Sequence, residues 1–151
     1  MQNSLYAPLN QECRQIRLLS LLPGQGSGKI QCQLSLVSLD CEPAFEALSY
    51  VWGKPNQSRS IFVNDTKFQI TENLYKALMR IRRLTEKRIL WVDQACINQI
   101  DNNERGQQVA LMGNIYGNSL RALLWLGDDP SYHSSIPQLC LSTKIPFCGW
   151  I

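Results

Sequence analysis

Arg88-Ile-Leu-Trp-Val-Asp-Gln-Ala-Cys-Ile-Asn-Gln-Ile-Asp-Asn-Asn-Glu-Arg105 is the stretch whose reading decides the fold. Its apolar run, 89–92, is too short for a helix and is flanked by polar residues, which predicts a buried central strand. Asp93 ends that run, and small or polar residues follow through Gln99. Asp101 with Glu104 three residues later, ahead of a long apolar-periodic segment, is a capping-box start for a helix. The stretch therefore reads strand, polar turn, helix. In open α/β sheets, ligands collect outside the carboxyl ends of strands, where such turns sit. The candidate site residues are accordingly Asp93, Asn98, Gln99, Asp101, Glu104 and Arg105. Local structure offers a competing account of the same residues: Asp93 as strand terminator, Asn98 and Asp101 as turn and cap, Glu104 as the reciprocal member of the capping box.

Downstream, a helix is expected over 102–116, with Val109, Met112, Ile115 and Tyr116 as its buried stripe and Gly117-Asn118 at its end. Residues 121–126 form a further apolar strand, stopped by Gly127-Asp128-Asp129-Pro130. Upstream, Thr71 caps a helix over 72–84, with Leu74, Ala77, Leu78, Ile81 and Leu84 inward. Its outer face carries Lys76, Arg80, Arg83 and Lys87, a basic stripe without interleaved aromatics, which reads as solvation rather than nucleic-acid binding. From Gln69 to Leu126 the order is strand, helix, strand, helix, strand, which implies right-handed parallel crossovers. A β-rich section precedes it: strands over 14–22 and 29–39 joined by a Gly/Ser-rich turn, a strand over 45–53, and two short pieces around Asn64-Asp65-Thr66. The expected fold is α/β, a mostly parallel sheet flanked by helices. Residues 1–12 read as loose, 13–130 as the domain, and 131–151 as a tail without helical or strand period. A doubly wound sheet would want another helix and strand there, so the domain reads as incomplete at its C-terminus.

Length and composition fit one soluble domain: 151 residues, 44% apolar, 18% charged, net charge +3. So mild a charge selects no anionic partner. Six cysteines and one histidine, His133, lack zinc spacing, so neither a metal nor a cofactor is expected. No basic segment followed by an apolar one opens the chain, and no apolar run reaches the roughly 20 residues that span a bilayer. A reduced, cytoplasmic protein without membrane contact is the expectation. A cysteine hydrolase built on Cys96 and His133 is disfavoured, because one cysteine and one histidine do not make a triad.

Phe45-Glu-Ala-Leu-Ser-Tyr-Val-Trp-Gly53 resembles the Tyr-Glu-Ala-Leu-Ser-Tyr-Val-Trp-Gly opening of the fungal heterokaryon incompatibility (HET) domain. The likeness continues in order through Ile61-Phe-Val-Asn64, Ile70-Thr-Glu-Asn-Leu74, Leu90-Trp-Val-Asp-Gln-Ala-Cys-Ile-Asn-Gln99, Glu104-Arg105, Ile115-Tyr116 and Trp125-Leu-Gly127, with Tyr6 and Ile16-Arg-Leu-Leu19 upstream. The core signature covers 45–127. Departures are Phe45 for tyrosine, Gln94-Ala95 for the commoner Ala-Ile, Gly106 for serine, and Asn118-Ser119 near the usual alanine. Family proteins run much longer, so the chain resembles a short or truncated copy. The resemblance implies a part in fungal non-self recognition and programmed cell death, through self-association or protein partners, and a fold distantly similar to TIR domains. Some TIR domains cleave NAD with a glutamate. By that analogy Asp93 and Glu104 are the candidate catalytic acids, Arg105 a phosphate contact, and a dinucleotide the ligand. A TIR-like catalytic glutamate belongs after the strand ending at Leu126, and no glutamate follows Glu104. The analogy therefore implies an inactive copy.

Overall fold

The computed structural model describes residues 5–56, 58–127 and 140–141. The alternating segments on either side of the Gly/Ser-rich turn become β1 (Gln15–Leu21) and β2 (Gln31–Ser38), an antiparallel hairpin in register from Gln15↔Ser38 to Leu21↔Cys32. β3 (Glu46–Tyr50) follows a short 3-10 turn. β4 (Ser58–Val63) and β5 (Thr66–Thr71) form a second hairpin. Asn64 and Asp65 form its turn with φ of 47° and 61°. Both central residues of a primed hairpin turn need positive φ, and Asn and Asp tolerate it without glycine. Then come α1 (Glu72–Ile81), β6 (Arg88–Trp91), the single turn α2 (Asp93–Cys96), α3 (Asn102–Asn118) and β7 (Arg121–Trp125). β8 (Cys140–Leu141) adds a short antiparallel edge to β7.

Among the described residues these eight strands form one sheet, in the order β5-β4-β2-β1-β6-β3-β7-β8. The fold is α/β, but the sheet is mixed rather than mostly parallel. Parallel pairing is confined to β2/β4, β6/β3 and β3/β7. The N-terminal hairpin is also not a separate section. β1 lies antiparallel beside β6, with Leu19 opposite Leu90, so it completes the middle of the sheet. Alternation marks a half-buried strand but carries no information about its neighbour, which is why the sequence order misleads here.

Helices cover both faces. Neighbouring residues on a strand point to opposite faces, and β6 and β3 align Leu90 with Glu46 and Trp91 with Ala47. Arg88, on the Glu46 face, donates to the Ile81 carbonyl at the end of α1 (2.9 Å). Trp91, on the other face, meets Tyr116 of α3 edge-on, with ring centroids 5.7 Å apart. Ile16, Leu19, Leu21, Phe45, Leu48, Leu74, Leu78, Trp91 and Ile115 are among the fully buried side chains. At the amino ends of the parallel strands, Glu46 is buried and accepts from both Arg88 and Arg121.

Both helix faces depart from expectation. α1 stops at Ile81, because Arg82 leaves helical geometry (ψ 132°) and sends its guanidinium to the carbonyls of Gly26, Gly28 and Lys29. Leu84 is therefore 67% exposed. Arg83 and Lys87 lie beyond the helix, which breaks the basic stripe, and Arg83 pairs with Glu86 (3.3 Å). In α3, Val109 is exposed and Gln108 takes the inward position, where its amide donates to the Gln15 carbonyl (3.1 Å). A β1 carbonyl that needs a donor thus outranks an apolar side chain at that turn. In the segment expected to be loose, Leu5 packs against the core and Tyr6 and Ala7 make the contacts described below, while residues 7, 8 and 10–12 are exposed. Of the tail 131–151, all but 140–141 lies outside the described residues, as does His133.

Candidate functional site

β3 and β6 run parallel, so both deliver their carboxyl ends to one edge of the sheet. β3 supplies Tyr50 and, two residues on, Trp52. β6 supplies Asp93, the first residue of α2. Asp93 Oδ1 accepts from its neighbour, the Gln94 backbone N–H (2.7 Å), and Oδ2 accepts from the Trp52 indole Nε1 (3.0 Å). Burial pushes the Asp93 pKa up, and this outweighs the hydrogen bonds from Trp52, Gln94 and Tyr50 that pull it down. The Tyr50 hydroxyl lies within reach of that carboxylate and donates to Gln94 Oε1 (3.0 Å). Burial, and then the Asp93 charge, raise the Tyr50 pKa well above the ordinary phenol value.

Gln94 joins this edge to α1. Its Oε1 also accepts from the Thr71 hydroxyl (3.2 Å) and backbone N–H (3.4 Å), while Thr71 Oγ1 caps α1 by accepting from Leu74 N (3.4 Å). Trp52 also lines a cleft of about 160 Å³ together with Gly53, Lys54, Glu72 and Asn73; Asp93 is not part of its lining. Glu72 is held by Arg59 (2.7 Å), and Asn73 Nδ2 donates to the Val51 carbonyl (2.9 Å).

The remainder of the polar turn is bound into the frame. Glu104 Oε1 accepts from Arg17 Nη1 (2.5 Å) and from Asn98 N (2.9 Å), and Oε2 accepts from Arg17 Nη2 (3.1 Å). Arg17 is 1% exposed and also donates to the carbonyls of Cys96 (3.2 Å) and Ala7 (2.6 Å). Its guanidinium sits 4.8 Å from the Tyr6 ring centroid, and the Tyr6 hydroxyl donates to the Ala95 carbonyl (3.0 Å). The segment before β1 is thereby strapped to α2. Asp101 Oδ1 caps α3 at Asn103 and Glu104 N (3.0 and 3.1 Å), Gln99 Nε2 donates to the Asp93 carbonyl (2.9 Å), and Asn98 Oδ1 accepts from Ile100 N (3.4 Å).

The six sequence candidates thus separate. Asp93 faces the open edge. Asn98, Gln99, Asp101 and Glu104 are spent on backbone and ion-pair contacts, and Arg105 is exposed on α3. Asp93 and Glu104 share no side-chain partner, so the structure does not assemble them into a carboxylate pair. Glu104 serves Arg17 and Asn98 instead of closing a capping box. Cys96 is fully buried and burial pushes its thiol up to about 12, the reverse of an activated nucleophile. Sequence reasoning missed Trp52, Tyr50, Gln94 and Thr71 as site residues, and Arg17 as the strut. An arginine inside the apolar run 16–22 was the available signal for the strut, since a buried charge requires a partner. Among the described residues no cluster of His, Cys, Asp or Glu has the arrangement to hold a metal ion, and no helix is long and apolar enough to cross a membrane.

The family model described as heterokaryon incompatibility protein (HET) matches residues 45–145. The match begins at Phe45 and runs past Gly127, longer than the 45–127 signature. Heterokaryon incompatibility protein 6, OR allele, from Neurospora crassa is 36% identical to this chain over 126 residues. That alignment covers 74% of this chain and 18% of the relative, so the chain spans less than a fifth of the protein it matches. No solved structure matches it. The family match and the relative agree: the chain belongs to the heterokaryon incompatibility (HET) family.

Proposed function

We propose that this chain is a heterokaryon-incompatibility-type module that acts in the cytoplasm of a fungus in non-self recognition, and promotes programmed cell death by self-association or by binding a protein partner. Family membership carries this reading. The engagement of Glu104 by Arg17 supports it, because one of the two candidate catalytic acids is held in a structural ion pair. Inducible expression in a filamentous fungus, scored with a vital dye, tests the role, and light scattering on the purified chain tests association. Death of expressing hyphae is the expected result. Normal growth with the chain accumulating in soluble, folded form would count against the reading.

A second reading is a TIR-like dinucleotide glycohydrolase, favoured by the position of Asp93 at the carboxyl edge with its pKa raised by burial. A carboxylate there is the group that an oxocarbenium-like centre needs when a nicotinamide–ribose bond breaks. Glu72, on the cleft that Trp52 also lines, is paired with Arg59. Release of nicotinamide from NAD by the folded chain, lost in Asp93→Asn, is the outcome this reading requires.

A further inference from the structure

Trp52 is the residue that closes the carboxyl edge. Its indole N–H sits on Asp93 Oδ2 at 3.0 Å, yet Trp52 is 39% exposed and its neighbour Val51 69% exposed. The two carboxylate oxygens differ in how firmly they are held. Oδ1 is bound by the backbone N–H of the next residue, a contact internal to the start of α2. Oδ2 is bound by a side chain on the loop 51–56, which has neither helix nor strand. Gly53 follows Trp52 directly with φ of 78°, a conformation that side-chain-bearing residues rarely adopt and that makes it a natural pivot. Asn73, donating to the Val51 carbonyl, tethers the loop just ahead of that pivot. Trp52 also lines the cleft of about 160 Å³, which is smaller than the roughly 300–1,000 Å³ pockets that enclose drug-sized ligands, so only a small ligand could enter from that side.

We propose that Trp52 is a built-in occupant of the Asp93 site, a flat ring presenting an N–H donor, and that the site takes ligands of the same chemistry: a planar heteroaromatic ring carrying an amide or amine N–H that displaces the indole from Oδ2. The proposal rests on the reading of the Asp93 edge as a ligand site. It adds the chemical class of the ligand and the group that must move to admit it. Binding exchanges one charge-assisted hydrogen bond for another, and specificity arises because a ring without a donor leaves Oδ2 unpaired.

The test uses the full chain labelled with 5-fluorotryptophan. Of the four tryptophan resonances, the one missing from Trp52→Phe is that of Trp52. Nicotinamide, a ring with a carboxamide N–H, and methyl nicotinate, the same ring as a neutral ester without an N–H, are the probes. The expected result is that saturating nicotinamide moves the Trp52 fluorine resonance to the position of a solvent-exposed indole, while methyl nicotinate leaves it in place. Asp93→Ala should place it there without any ligand. Should Asp93→Ala collapse the dispersion of all four resonances, Asp93→Asn, which keeps one acceptor oxygen, is read instead and should show a partial shift. A Trp52 resonance unmoved by loss of the carboxylate overturns the proposal, as does an equal response to both probes or a response to neither. NAD turnover with Trp52 in place would overturn the latch and keep the glycohydrolase reading. Displacement of Trp52 by nicotinamide without turnover would do the reverse.

Discussion

Replacing Arg17 with alanine should be among the most destabilising single changes available. Arg17 is 1% exposed and makes four hydrogen bonds, two of them to a Glu104 side chain only 11% exposed. The variant leaves that carboxylate buried with only the Asn98 N–H to satisfy it. Removing one partner of a buried ion pair costs about 3–5 kcal/mol. Against a urea slope of about 2 kcal/mol/M, a loss of about 4 kcal/mol lowers the denaturation midpoint by about 2 M. Glu104→Ala should cost a similar amount, since it strands the guanidinium. Arg17→Met combined with Glu104→Leu should recover most of the loss, because two apolar side chains of similar volume need no partner. Urea titrations followed by tryptophan fluorescence on wild type, Arg17→Met, Glu104→Leu and the double variant give the coupling energy. A single-variant loss under about 1 kcal/mol, or a coupling near zero, would refute the assignment of this pair as the strut that fixes the polar turn.

Two acids should respond to pH in opposite senses. Burial raises the Glu46 pKa, but the hydrogen bonds and charges of Arg88 and Arg121 outweigh it, so the folded pKa is lowered. Its stabilisation should be present at neutral pH and lost as the pH falls through and below the ordinary glutamate range, with Glu46→Gln flattening that part of the thermal-melt profile. Asp93 has a folded pKa raised by burial, so it binds its proton more readily folded than unfolded. Wild type should therefore gain stability relative to Asp93→Asn as the pH drops from 7 through the carboxylate range, measured by paired melts. On α3, Val109→Lys should change stability by no more than about 0.5 kcal/mol, because Val109 is exposed, whereas Ile115→Ala should cost about 2–5 kcal/mol. Chemical denaturation separates these two.

The elements themselves were legible from residue pattern. Apolar alternation located β1 and β2, Thr71 and Asp101 marked the starts of α1 and α3, and the run ending at Asp93 gave β6. What pattern could not supply was partnership. Leu19 reads the same whether its neighbour is Leu34 or Leu90, and in the fold it has both. The helical faces failed where polar needs override periodicity: Gln108 is inside because a carbonyl of β1 wants a donor, and α1 ends early because Arg82 serves three carbonyls. At the site, Asp93 could be picked out as the acid at a strand end. Its contact with Trp52 joins residues 41 positions apart through two parallel strand ends, a proximity that only the sheet order creates.

The place of β3 in that order bears on how the chain acquires its shape. The hairpins β1/β2 and β4/β5 each pair strands that follow one another in sequence and can form as soon as their residues exist. β3 has no such local mate: it pairs with β6 and β7, both far later in sequence. It must stay unpaired while residues up to Trp91, and then Trp125, are added. Closing such long loops before contacts reward it slows folding more than it weakens the product. β3 is then open on both edges until β6 and β7 have been made, which exposes it to wrong pairing during synthesis. The strand that waits on two late partners is the same one that, once sandwiched, positions Trp52 against Asp93.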